Sequence, residues 1–399
     1  MVKKQKIIIV SNNLATGGIQ KALVNLLNEI KNQYDITLFL FSDRGDYKNK
    51  IPSQLKVIKA NSYLRLLGIS QRESRKSGIF YYFLRAILVL WSRVINNKWP
   101  IRFLLLTDSK LKKYDIAISY VHSSPDKVFY GGCNEFVLNN IDASIKCAFI
   151  HCDYLNYGGN TNKNKKLYKQ FDRILTVSEG CKSHFNKAIP ELINKTYTVR
   201  NCHNHLEIIE KANTKSIHYD SRKFNIVTVA RLTEEKGLVR TIDVINQLIK
   251  MGYKICWHLI GDGSQRNDIK TIITNYGLDE NIVLHGNQKN PYKFMVNADL
   301  FLLTSYHEAA PMVFEEAKCI GLPILTTNTI SAIEMVEQSN AGWTCENSLD
   351  GIKEKLQYIL DNRNELSRIK ENLKSQNLNN ELAIEQLNYV LNGEKANDY

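Results

Sequence analysis

The sequence predicts an α/β fold of two domains, each a parallel sheet covered by helices, facing each other across a cleft. Three observations carry that expectation. At 399 residues the chain is too long for one compact core of ordinary size. Short β-rich runs alternate with helical runs, the mark of parallel α/β sheets. The alternation stops over the polar stretch 203–223 and then restarts, so that stretch reads as the linker.

The elements follow in order. In the first half, buried strands are expected at 6–11, 36–41, 55–59, 116–121, 146–151, 173–178 and 197–200. The first is the run Ile7-Ile8-Ile9-Val10, far shorter than the apolar core of a signal peptide. A helix is expected from Gly18, with Ala22, Leu23, Leu26, Leu27 and Ile30 along one face. In the second half, strands are expected at 224–230, 255–260, 282–285, 300–304 and 323–326. Helices lie between them at 238–251 and 311–320, and the tail from 349 to about 392 is helical. The expected domains are 1–203 and 224–375, with 376–399 a last helix. The eight cysteines include no C-x-x-C pair, so neither a zinc ribbon nor a redox dithiol is indicated, and free thiols in a reducing cytosol are expected.

Charge is unevenly spread. Lysine and arginine exceed the acids by 13 overall, and segment 61–113 holds eleven basic residues against two acidic ones, Glu73 and Asp108. Within it, 79–95 (IFYYFLRAILVLWSRVI) is apolar apart from a narrow stripe of Arg85, Ser92 and, just beyond, Asn96. It falls short of the roughly 20 apolar residues of a membrane-spanning helix. Two readings fit. One is an interfacial helix at an anionic membrane surface, placing the protein in the cytoplasm, peripheral to the inner face of the membrane. The other is a core helix whose arginines reach outward.

The residues suited to chemistry cluster between Asp299 and Thr326, where a buried strand ends in a loop holding Glu308 and a helix opens near Pro311 and Met312. Glu316 follows on that helix. Carboxylates accept hydrogen bonds and so suit hydroxyl-rich ligands. A helix start offers free N–H groups and a positive dipole end to a diphosphate. Arg231 and Lys236, at an earlier strand end, add a fork donor and a point charge for the same anion. Gly261 sits in the turn after 255–260, and Gly17 and Gly18 in the loop after the first strand, where glycine allows close backbone approach.

Ser305-Tyr306-His307-Glu308-Ala309-Ala310-Pro311-Met312-Val313-Phe314-Glu315-Glu316-Ala317 resembles the S-x-x-E-G-x-P-x-x-x-x-E-A motif of the retaining glycosyltransferases of family 4, which have the GT-B fold. Ala309 departs from it, standing where the family often has glycine. Val229-Ala230-Arg231-Leu232-Thr233-Glu234-Glu235-Lys236-Gly237 is similar to the family's G-R-L-x-x-x-K-G element, and Ile260-Gly261-Asp262-Gly263 to its G-x-G turn. Thr16-Gly17-Gly18-Ile19 resembles its N-terminal glycine loop, and His151 the histidine that faces the donor sugar. His122, at another strand end, is a candidate acceptor contact. Segment 61–113 matches no motif.

The resemblance implies retaining transfer of a sugar from a nucleoside diphosphate donor, UDP-linked, to an acceptor hydroxyl. No cofactor or metal is expected: the cations serve the diphosphate, and its leaving oxygen takes the acceptor's proton. His151 and Glu308 are the expected catalytic residues. Gly17, Gly18, Arg231, Lys236, Gly261, Glu308, Ala310, Pro311, Met312 and Glu316 are expected to bind the donor. A glycan or lipid-linked acceptor of bacterial surface polysaccharide assembly fits the basic, aromatic segment, with an anionic membrane surface as partner and no nucleic acid. Three rivals are a nucleotide-sugar epimerase, a non-catalytic nucleic-acid-binding protein using the basic segment alone, and a dinucleotide dehydrogenase. The last lacks G-x-G-x-x-G after the first strand.

Overall fold

The computed structural model describes residues 4–393. It divides into two compact units, one running up to Cys202 and resuming from Asn380, the other His203–Asn379.

The first unit holds seven strands: β1 (Lys6–Ser11), β2 (Asp35–Leu40), β3 (Lys56–Lys59), β4 (Leu111–Ser119), β5 (Ile141–Ile150), β6 (Arg173–Thr176) and β7 (Thr196–Thr198). All pair in parallel, in the order β3-β2-β1-β4-β5-β6-β7. Ile7, Ile8, Ile9 and Val10 of β1 are fully buried, as an all-apolar central strand covered on both faces must be. Helix Gly18–Ile30 buries the expected stripe, with Val24 added. Strands β4 and β5 begin about five residues earlier than hydrophobicity suggests. Their polar first halves pair with each other, Leu111 opposite Ile141 and Tyr114 opposite Ala143, around an irregularity that puts Lys113 at φ 74°. Helix Glu381–Asn392 belongs to this unit. It buries Leu387, Val390 and Leu391, while Asn388 accepts from Tyr34 Oη at 2.7 Å and Gln386 from the Arg200 amide at 3.0 Å.

The second unit holds β8 (Phe224–Val229), β9 (Ile255–Ile260), β10 (Ile282–Gly286), β11 (Leu300–Leu303), β12 (Ile324–Thr327) and β13 (Gly342–Cys345). These too are parallel, in the order β10-β9-β8-β11-β12-β13. The edge strand β13, Gly-Trp-Thr-Cys, is too short and mixed to announce itself in the sequence. The stretch expected to be a linker contains a helix, His205–Asn213, started by Asn204, whose side chain accepts from the Glu207 amide at 3.1 Å. Its Ile208 and Ala212 enter the core beside Met295 and Phe314.

The apolar run forms helix Ile79–Val94, and its orientation reverses the usual one. The polar stripe faces inward: Arg85 is 7% exposed and Ser92 fully buried. Arg85 donates to the carbonyls of Leu66 (3.3 Å) and Phe129 (3.4 Å) and to Gln71 Oε1 (3.1 Å), so its buried charge meets three acceptors. The apolar side faces solvent, with Ile79, Phe80, Phe83, Ile87, Leu90 and Val94 all exposed. This excludes the reading in which the helix lies in the core with its arginines outward. No helix among the described residues is long and apolar enough to cross a membrane. All eight cysteines are free thiols, seven of them buried.

Candidate functional site

In a doubly wound sheet, ligands bind outside the carboxyl ends of the strands where strand order reverses. In the second unit that point lies between β8 and β11. The loops leaving these two strands carry Arg231 and Lys236 on one side and Ser305 to Pro311 on the other.

Hydrogen bonds zip the two loops together. Gly237 turns the first at φ 63°, where a Cβ would sit 2.3 Å from the Thr304 carbonyl, so only glycine fits. The Tyr306 amide donates to Glu235 O at 2.9 Å, and Thr241 Oγ1 to Thr304 Oγ1 at 2.7 Å. The result brings Lys236 Nζ to 2.5 Å from Glu308 Oε1, which also accepts from Ser305 Oγ at 2.6 Å. Both charged side chains are largely buried, Lys236 15% and Glu308 12% exposed. Arg231 is different: its side chain is 75% exposed and reaches Glu235 at 3.3 Å. Helix Met312–Cys319 begins just beyond, with Pro311 as its N-cap rather than its first residue. Ala310 precedes it, in the loop from Glu308. Glu316 lies on the inner side of that helix, 3% exposed.

Gly261 follows β9 and packs on the β8 loop. At φ 140°, a Cβ would stand 1.9 Å from the Ala230 carbonyl. Gly261→Ala is therefore expected to lower the melting temperature of the second unit by roughly 5–10 °C, from a few kcal/mol of strain. Scanning calorimetry checks it, and an unchanged melt would show that the loop simply shifts aside.

In the first unit the strand order reverses between β1 and β4. Gly17 and Gly18 follow β1, Gly17 capping the next helix with extended backbone (φ 174°). That conformation needs no glycine, so what Gly17 contributes is a helix start not covered by a side chain. His122 follows β4 and His151 follows β5. The His151 ring lies 4.8 Å from Tyr120 and 5.3 Å from Phe149, and its Nε2 is buried with no hydrogen-bond partner among the described residues. Burial, then the nearby His122, brings its pKa down to about 3; burial brings His122 to about 4. Both imidazoles are thus neutral at physiological pH.

A stability consequence follows with a definite sign. An unfolded histidine titrates near 6.5. Below that pH the unfolded chain takes up protons that the folded chain refuses until about 4 and about 3. Their contribution to stability is full above about pH 6.5 and lost as pH falls toward those values. The melting temperature is expected to drop between pH 7 and pH 5, and His151→Phe to flatten the drop while cutting transfer by an order of magnitude or more. A variant with the wild-type slope and wild-type transfer would assign His151 neither role.

Sequence reasoning missed three participants. Ser305 lay inside the quoted motif and was the one recoverable from sequence. Arg240 stacks on the Tyr306 ring at 4.0 Å and donates to Thr304 O at 2.7 Å and Asn347 O at 3.1 Å. Asp153, buried just after His151, holds His184 Nδ1 at 2.7 Å.

Residues 210–376 match the family described as "Glycosyl transferases group 1". An uncharacterized glycosyltransferase of Methanocaldococcus jannaschii is 29% identical over 173 residues, 41% of each chain. The amylovoran biosynthesis glycosyltransferase AmsK of Erwinia amylovora is 30% identical over 154 residues, 34% of this chain and 38% of its own. The chain thus matches about two fifths of the length of these curated relatives. In structure it is similar to Anabaena HepE in complex with UDP-glucose, with a TM-score of 0.67 at 16% identity, covering 98% of this chain and 100% of that one. That likeness shows the GT-B fold. Through its residues 210–376, the chain belongs to the glycosyl transferases group 1 family.

Proposed function

We propose that this protein is a retaining glycosyltransferase of polysaccharide biosynthesis, moving a sugar from a UDP-linked donor to a hydroxyl of a lipid-linked glycan. The observation that carries this reading is the Lys236–Glu308–Ser305 cluster at the carboxyl ends of β8 and β11. It sets a cation for a diphosphate directly beside a carboxylate for sugar hydroxyls. Lys236, Arg231 and the N–H groups at the start of helix Met312–Cys319 take the charge that develops on the leaving diphosphate. Glu308 fixes the sugar by accepting from its hydroxyls, and Glu316 serves the ribose. His151, neutral, offers the sugar a hydrogen bond from its ring. No protein base is needed, because the leaving phosphate oxygen, on the acceptor's side of the sugar, takes the hydroxyl proton. Catalysis then rests on positioning and charge stabilisation.

Two comparisons support the substrate classes: HepE was solved with UDP-glucose, and AmsK is named for amylovoran biosynthesis. The outward apolar face of helix Ile79–Val94 supports a lipid-linked acceptor, met at the anionic inner face of the membrane.

The test offers a panel of UDP-sugars with polyprenyl-phosphate-linked glycans and reads products by mass spectrometry and anomeric proton couplings. A glycan longer by one sugar, with the donor's anomeric configuration, is expected. An inverted linkage overturns the retaining mechanism. Isomerised donor without acceptor would identify an epimerase instead.

A further inference from the structure

The first unit contains a second recess, remote from the strand ends just described. It is a groove of about 880 Å³. Its walls include Asp108 and Lys110, which precede β4, Asn139 and Asn140, which precede β5, and Gln170, which precedes β6. It therefore opens at the amino ends of these strands, the opposite edge of the sheet from His122 and His151.

Its charge is distinctive. Lys98, Arg102, Lys110, Lys163 and Lys166 line it, against Asp108, Asp126 and Glu135. Lys163 pairs with Asp126 at 3.2 Å. Lys98, Arg102, Lys110 and Lys166 have no carboxylate partner among the described residues. Burial raises the Glu135 carboxyl above its ordinary range, which weakens the negative side further. Four uncompensated cations around one groove suit a phosphate.

The rim indicates which phosphate. Helix Lys98–Leu105 gives Lys98 and Arg102 to the groove. The same helix and the residue after it turn Trp99, Phe103 and Leu106 to solvent, 51%, 56% and 79% exposed. Lys98 and Arg102 lie over the Trp99 ring at 5.5 and 5.6 Å. An aromatic ring flanked by cations suits the level of lipid headgroups. A soluble phosphate ester would use the cations and leave this apolar rim in water.

We propose that the groove binds the phosphate headgroup of an anionic lipid while Trp99, Phe103 and Leu106 enter the leaflet beside it. This rests on the membrane reading above and deepens it, from general attraction to a headgroup site.

The full chain is tested with phosphatidylcholine vesicles carrying either phosphatidate or phosphatidylglycerol, adjusted to equal zeta potential. Flotation is expected to show about fivefold or greater preference for phosphatidate, whose bare phosphate monoester fits a cationic groove. The triple variant Arg102→Gln, Lys110→Gln, Lys166→Gln is expected to keep its melting temperature and bind both vesicles with that preference gone. Equal binding of both vesicles by the wild type, or a preference that survives in the variant, overturns the headgroup site and leaves the membrane reading standing. Binding to neither vesicle overturns both. Saturable binding of glycerol 3-phosphate in vesicle-free calorimetry, at the affinity seen for phosphatidate vesicles, would reassign the groove to a soluble ester.

Discussion

Lys236→Ala is expected to lower kcat/KM for sugar transfer by about 100-fold, with Arg231→Ala costing nearer tenfold. The difference follows from their surroundings. Arg231 is mostly in water and screened, so its pull on a diphosphate is shared with solvent. Lys236 is largely buried, and its ammonium meets Glu308 at 2.5 Å. A charge-assisted hydrogen bond from such a group to a phosphate oxygen contributes about 1.5–3 kcal/mol. Removing Lys236 also leaves the Glu308 carboxylate without its cation, and an unpaired, largely buried carboxylate repels an incoming diphosphate. Glu308→Gln relieves that repulsion, so the double variant Lys236→Ala, Glu308→Gln is expected to bind UDP more tightly than Lys236→Ala alone, without regaining transfer. Steady-state kinetics and calorimetry with UDP measure both effects. Wild-type kinetics for Lys236→Ala would remove this loop from the mechanism.

The two sheets were readable because their strands are nearly all apolar, and parallel strands buried on both faces have that composition. The strand-end cluster was readable for a related reason. Lys236 and Glu308 each lie in a short local pattern, and the fold needs only to close two loops to bring them together. What escaped notice depends on contacts distant in sequence. Arg240 matters because Asn347, 107 residues later, and Tyr306 fold against it, and nothing near Arg240 in the sequence signals either. Helix His205–Asn213 hid for the opposite reason. Its start signal, Asn204 three residues before Glu207, is local and legible, but only two of its residues are buried, too few to show a period. The direction of Arg85 could not be read from periodicity at all. A 3.6-residue pattern identifies two faces of a helix but not which one meets the protein. The three acceptors that draw Arg85 inward belong to Leu66, Gln71 and Phe129, on segments the helix pattern does not include.

That inversion leads to the second large effect. With its polar stripe turned inward, helix Ile79–Val94 leaves Phe80, Phe83 and Trp91 at 59%, 58% and 43% exposure. Carried into the interfacial region of a bilayer, each half-exposed aromatic contributes roughly 1 kcal/mol. The triple variant Phe80→Ser, Phe83→Ser, Trp91→Ser is therefore expected to bind anionic vesicles about 100-fold more weakly. Its stability should hold or rise, because these side chains meet water in the unbound protein and their loss opens no cavity. The basic residues of segment 61–113 add a separate, salt-sensitive part, about 1 kcal/mol for each cation near an anionic leaflet. Reversing Arg72, Arg75 and Lys76 to glutamate should remove that part, so that binding weakens at low salt and loses much of its salt dependence. Sedimentation with vesicles across a salt series separates the two. If the serine variant binds like the wild type, the exposed face does not enter the bilayer and the lipid-side acceptor loses its main support. Because the apolar face and the strand-end cluster belong to different units, UDP binding by the second unit should be untouched in either variant. A loss of UDP affinity would mean that these substitutions act through the fold rather than at the membrane.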